Sequence, residues 1–135
     1  MSRYVTQVPL RWSDQDANRH VNNARVVTLL EEARVGLLYE ARTTDKIGGL
    51  FVAGLNVDYR RQLPYRPEPL HATLWVAELR AASYKIHYEL HVGPKEDDPV
   101  AVEAWTKMAM FDFDTQRPRR FTPDELAFLR TWVDE

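Results

Sequence analysis

The chain has 135 residues, 44% of them apolar and 28% charged, with a net charge of −2 and no cysteine. This is a globular composition, which excludes intrinsic disorder, disulfides, thiolate metal sites and a cysteine nucleophile. The near-neutral balance implies no bulk attraction to nucleic acid or anionic membranes.

Tyr4 to Trp12 reads as a strand, with Tyr4, Val8, Leu10 and Trp12 on one face. Ser13 to Asn23 is a polar loop ending in the capping residues Asn22 and Asn23. Ala24 to Ala41 has a helical period, with Val26, Leu29, Leu30, Ala33 and Leu37 on one face. Such a helix is roughly 27 Å long. Thr43 to Gly49 is a linker broken by Gly48 and Gly49.

Four more strands follow. In Phe51 to Leu63, Ala53, Leu55, Val57 and Tyr59 share a face; in Leu70 to Leu79, Leu70, Ala72, Leu74 and Val76 do. In Tyr84 to His91 the inward set is Tyr84, Ile86, Tyr88 and Leu90. In Val100 to Phe113 it is Val100, Val102, Ala104, Met108 and Met110. Thr122, Pro123, Asp124 and Glu125 form a capping box for a short C-terminal helix with Leu126, Leu129, Trp132 and Val133 inward.

The order, strand then long helix then four closely connected strands, predicts one α+β domain over residues 1–135 with an antiparallel sheet. One helix cannot cover five long strands, so self-association as a homodimer or homotetramer is expected. The N-terminus lacks the apolar run of a signal peptide and no stretch reaches the length of a membrane span, so a cytoplasmic protein without a membrane partner is expected.

The segment Asp14 to Asn23 carries the chemistry. Its acidic, amide and imidazole groups run into a helix N-terminus, where free N–H groups and a positive partial charge can hold an oxyanion. A neighbouring carboxylate can attack or deprotonate water. The alternative for Asp14, Asn22 and Asn23 is capping, and for His20 a structural role. For Asp16 the residues alone leave the two readings level. Asp14, Asp16 and Asn18 also have the spacing of the first EF-hand ligands, but Arg19 and Arg25 stand where that loop needs glycine and glutamate.

No nucleophile elbow surrounds Ser2, Ser13 or Ser83. His87 and His91 lie about 13 Å apart along a strand and cannot share one metal. His71 adds no ligand spacing, so no metal is expected.

The string Asp14-x-Asp16-x-Asn18-x-His20-Val21-Asn22-Asn23, the helix pair Glu31 and Arg34, and Tyr59-Arg60-Arg61 together resemble the hot-dog thioesterases related to hydroxybenzoyl-CoA thioesterase. They are also similar to the acyl-carrier-protein thioesterases. The resemblance implies a long central helix wrapped by a five-stranded antiparallel sheet. It also implies hydrolysis of an acyl-CoA or acyl-carrier-protein thioester. Coenzyme A would be part of the substrate, and no separate cofactor is expected.

It assigns catalysis to Asp16 as general base or nucleophile, with Asn18, His20 and Glu31 as further catalytic candidates. It assigns carbonyl binding to the backbone of Val21, Asn22, Asn23 and Ala24. Arg60 and Arg61, with Arg117, Arg119 and Arg120, are candidates for the phosphates, and Ser83 and Tyr84 for pantetheine. The sequence departs from the pattern at Arg19, Val26 and Gln62-Leu63. The last departure removes the Glu-Cys pair of the carrier-protein branch and favours coenzyme A. Two other readings stand beside this one: a hot-dog hydratase or dehydratase, and a non-catalytic acyl-thioester-binding or assembly protein.

Overall fold

A computed structural model describes residues 3–40 and 49–134. The elements in chain order are β1 (Tyr4–Val8), α1 (Asn23–Val35), β2 (Leu50–Tyr59), β3 (Leu70–Ala77), β4 (Ser83–His91), β5 (Val100–Asp112), β6 (Arg117–Pro118) and α2 (Pro123–Thr131). The sheet runs β1-β3-β4-β5-β2 and every neighbouring pair is antiparallel, with the two-residue β6 added to the end of β5. β1 and β2, first and second in sequence, are therefore at opposite ends of the sheet.

The helix lies on the inner face of this curled sheet. Val26, Leu29, Leu30, Ala33 and Leu37 are buried and meet Leu74, Ile86, Tyr88 and Leu90 in one core. The period-3.6 stripe of α1 and the period-2 stripes of β3 and β4 are thus two halves of one apolar interior. α1 stops at Val35 and continues as a π-helical turn, Gly36–Glu40. A Cβ at Gly36 would lie 2.7 Å from the Tyr4 hydroxyl, so a larger residue there would displace the end of the Tyr4 side chain. The expected end of the helix at Ala41 and the linker 43–48 lie outside the described residues.

Three expectations are corrected. The first strand ends at Val8, and Trp12 begins a single 3₁₀ turn with its ring 77% exposed. The alternation that would bury Trp12 ends because the chain turns at Arg11 to Asp14, where Arg11 N–H donates to the Asp14 carboxylate at 2.8 Å. The second strand ends at Tyr59, since the N–H groups of Arg60 and Arg61 both turn onto the Ala101 carbonyl. Finally, Ala53 is not part of an unbroken alternation. It is a bulge: Val52 faces Met108 and Gly54 faces Lys107. The extra residue lets Val52 and Leu55 meet the same side of the sheet although they are three apart.

β2 is an edge strand, and it is poorly covered. Val52, Leu55 and Tyr59 of β2, with Val27 and Val35 of α1 and Tyr39 beyond it, are 37–49% exposed. The two elements form an apolar groove on the open side of the molecule.

Candidate active site

The loop between β1 and α1 is built as a small hairpin. Gln15 and Val21 form an antiparallel bridge. Within it the Asp16 N–H donates to the His20 carbonyl at 3.0 Å and the Arg19 N–H donates to the Asp16 carbonyl at 3.0 Å. Arg19 closes the turn with φ of 63°. That left-handed conformation favours glycine, so the residue type that departs from the family pattern bears the strain of the turn. The hairpin is tied down on both sides: Val21 N–H donates to the Leu63 carbonyl at 2.6 Å, and Asn22 N–H to the Asp14 carbonyl at 2.8 Å.

The two aspartates of the motif have different roles in this hairpin. Asp14 is 1% exposed and holds both the N–H and the guanidinium of Arg11, at 2.8 and 3.0 Å. It is an internal anchor. Asp16 is half-buried; its Oδ1 accepts the Asn18 N–H at 2.9 Å, and Oδ2 has no partner among the described residues.

The start of α1 follows directly. Asn22 is the N-cap: its Oδ1 accepts the Ala24 N–H at 2.9 Å, and its carbonyl accepts from Arg25 and Val26. The Asn23 N–H is left without an acceptor among the described residues. The Asn23 carbonyl is held from outside by the Tyr59 hydroxyl at 2.7 Å. Partial burial raises the Tyr59 pKa above its ordinary value, which keeps the phenol protonated as a donor.

These pieces line one open cavity of about 440 Å³. Asp16, Asn18, Val21, Asn23 and Val26 form one wall; Tyr59 to Leu63, with Val102, form the other. Of the sequence-derived candidates, Asp16, Asn18, Val21, Asn23, Arg60 and Arg61 are therefore brought together. Asn22 and Ala24 are beside them, engaged with each other in the cap.

The remaining candidates are elsewhere. His20 contributes its carbonyl to the hairpin and bridges Pro64, outside the cavity lining. Glu31 is 61% exposed at its side chain and lines different cavities farther along α1. Arg119 binds Glu125 through both guanidinium nitrogens at 3.0 Å, while Arg117 and Arg120 are exposed. Ser83 and Tyr84 line a separate cavity with Lys85 and Lys107, and the Tyr84 ring is buried.

Sequence reasoning had Tyr59 as a strand residue and as part of the Tyr-Arg-Arg string, but not as a wall of the site. No local signal reveals that its hydroxyl reaches a helix 36 positions earlier. No cluster of three or more His, Asp or Glu suited to a metal occurs among the described residues.

A family profile described as the thioesterase-like superfamily matches residues 10–129. The fold is that of the hot-dog proteins. A candidate thioesterase from Bacillus stearothermophilus superposes with a TM-score of 0.83 at 23% identity, covering 99% of this chain and 98% of its own. A thioesterase from Thermus thermophilus, solved with coenzyme A and zinc, superposes at 0.77 with 20% identity and coverages of 95% and 92%. A candidate acyl-CoA thioesterase from Xanthomonas campestris superposes at 0.68 with 28% identity, covering 86% of this chain and 97% of that one. Comparison with curated proteins finds no match.

Proposed function

Because this chain belongs to the thioesterase-like superfamily, we propose that it hydrolyses an acyl-CoA thioester to the free acid and the thiol, with Asp16 as the reacting carboxylate. The observation that carries this reading is the shared cleft: a carboxylate with a free oxygen and an unengaged N–H at a helix N-terminus line the same cavity.

The thioester carbonyl oxygen sits at the Asn23 N–H, where the helix dipole favours negative charge. Asp16 takes a proton from a water molecule. The water oxygen bonds to the carbonyl carbon, and the carbonyl electron pair moves onto the oxygen held by Asn23. Collapse of that oxyanion breaks the C–S bond. The proton held by Asp16 goes to sulfur, giving the thiol and the acid.

Three hydrogen bonds around Asp16 position it for this role, one of them from the Arg19 N–H to its carbonyl. The Asn18 N–H holds Oδ1, and the backbone bond to His20 fixes the Asp16 main chain. Tyr59 holds the Asn23 carbonyl, in the peptide next to the one that carries the Asn23 N–H, and so ties the start of α1 to β2. Arg60 and Arg61, exposed at the rim, suit the phosphates of coenzyme A.

A second copy of the chain completes the enzyme. β2 is the uncovered edge of the sheet, and the α1–β2 groove beside it is apolar and half-exposed. Pairing of two such edges would cover the groove and wall the cleft.

The test is a thiol-release screen across acyl-CoA thioesters, with enoyl-CoA hydration measured in parallel. Thiol release that disappears in Asp16→Asn is the expected result. Hydration without thiol release, or binding without turnover, would replace this reading with one of its two rivals.

A further inference from the structure

Resting on the hydrolase reading, we propose that Arg34 selects the acyl group, and that the preferred acyl chain carries a carboxylate at its distal end. The argument begins with the groove between α1 and β2. A second cavity, of about 190 Å³, lies there, walled by Val27, Leu30, Val52 and Leu55. Val52 and Leu55 share this wall because Ala53 is bulged out of register. Arg34 and Thr106 line the same cavity and are its polar groups together with Glu31.

Arg34 is placed unusually for a surface arginine. Its side chain is 12% exposed. One guanidinium nitrogen donates to the Tyr88 hydroxyl at 3.2 Å, and that hydroxyl is shared with Thr106 Oγ1 at 2.6 Å. The other meets Glu31 at 3.5 Å, and Glu31 is itself 61% exposed, so solvent weakens the pair. A guanidinium has five N–H donors in a rigid fork. Among the described residues, one neutral oxygen and one carboxylate 3.5 Å away answer it. A cation so nearly buried needs a nearby anion or many hydrogen bonds. A carboxylate entering the cavity supplies both, in the bidentate geometry for which arginine is shaped.

The cavity lies on the path an acyl chain would take. Asn23 and Val26 line the catalytic cleft; Val27, Leu30 and Arg34 line the second cavity on the same helix. On β2 the order is the same, Tyr59 at the cleft and Leu55 and Val52 beyond it. Between them Val57 faces the small Ala104 on β5. From Asn23 to Arg34 the helix rises about 16 Å, so a chain held by its carbonyl at Asn23 must be of medium length to place its far end at Arg34. Apolar walls along the way accept methylenes.

The experiment compares straight-chain acyl-CoA thioesters with their ω-carboxylated counterparts over a series of chain lengths. At the matching length, the carboxylated substrate is expected to have a kcat/KM roughly ten- to hundredfold higher, the value of one charge-assisted contact. Arg34→Met should bring that ratio to near unity, chiefly through KM, and Arg34→Lys should retain part of it. A wild-type protein that shows no preference, or an Arg34→Met protein that keeps it, overturns the proposal. If Arg34→Met does not fold, the wild-type ratio still decides. If no thioester of either kind is turned over, the hydrolase reading fails separately. Calorimetry with a non-hydrolysable thioether pair then tests the anion preference alone, and equal affinities would overturn it.

Discussion

The Tyr59 hydroxyl donates to the Asn23 carbonyl across 2.7 Å, joining the edge strand β2 to the first residue of α1. The bond ties the first turn of α1 to the strand on the other side of the cleft, which both residues line. Tyr59→Phe removes the hydroxyl and keeps the ring. Activity should fall by up to about tenfold, the scale of one neutral hydrogen bond, with little change in melting temperature. Unchanged kcat/KM in the purified variant would show that the bond does not position the site.

Asp16 has one engaged and one free oxygen, so two substitutions separate its roles. Asp16→Asn keeps an acceptor for the Asn18 N–H and so keeps the turn, but it cannot take a proton. Asp16→Ala loses both. Each should lower turnover on the best acyl-CoA by on the order of 10² to 10⁴, and only Asp16→Ala should also lower the melting temperature. Near wild-type turnover in Asp16→Asn would remove the carboxylate from the mechanism.

The exposed groove makes a prediction about assembly. Leu55 is 47% exposed on the edge strand, where a charge would oppose burial against a second copy. Light scattering should give at least a dimer for the wild type and a smaller species for Leu55→Asp. A stable wild-type monomer at micromolar concentration would contradict both the proposed dimer and the walling of the cleft by a second copy.

The C-terminal helix should be sensitive to acid. Burial raises the Glu125 pKa, but hydrogen bonds from Arg119 and Thr122 outweigh it and hold the carboxyl below its ordinary 4.5. The folded state therefore gives up this proton more readily than the unfolded chain. The resulting stability is fully present above 4.5 and is lost as pH falls through the lower folded value. Glu125→Gln should lower the urea midpoint at neutral pH, and the difference from wild type should vanish in acid. A difference that does not change with pH would show that the pair with Arg119 is not responsible.

The arginine clusters should separate in kinetics. Arg60 and Arg61 line the cleft, where Arg60 pairs with Glu103 only between exposed side chains, whereas Arg119 is engaged with the buried Glu125. Arg60→Ala/Arg61→Ala should raise KM for acyl-CoA in a salt-dependent way with kcat nearly constant, the mark of lost uniform binding. Arg117→Ala/Arg120→Ala should change KM less. The reverse order would relocate the phosphates.

The amino-acid sequence alone determined whatever depends on near neighbours. The strands β3, β4 and β5, the apolar stripe of α1, the Asn22 cap and the Thr122 capping box with Pro123 all follow from local patterns and are present in the structure, although β3 is buried on both faces. The loop that holds Asp16 was legible for the same reason, because its turn and the helix start lie within ten residues. What only tertiary structure decided is long-range. Strand order places β2 at the edge and leaves Leu55 and Tyr59 half-exposed, although their alternation resembles that of a buried strand. The Ala53 bulge depends on pairing with β5, and the exposure of Trp12 depends on a turn held by buried Asp14. Which cations meet the cleft, and that Tyr59 reaches Asn23 or Arg34 reaches Tyr88, depends on contacts between residues 36 and 54 positions apart. No periodicity within one element encodes such contacts, because they are set by how the sheet curls around the helix.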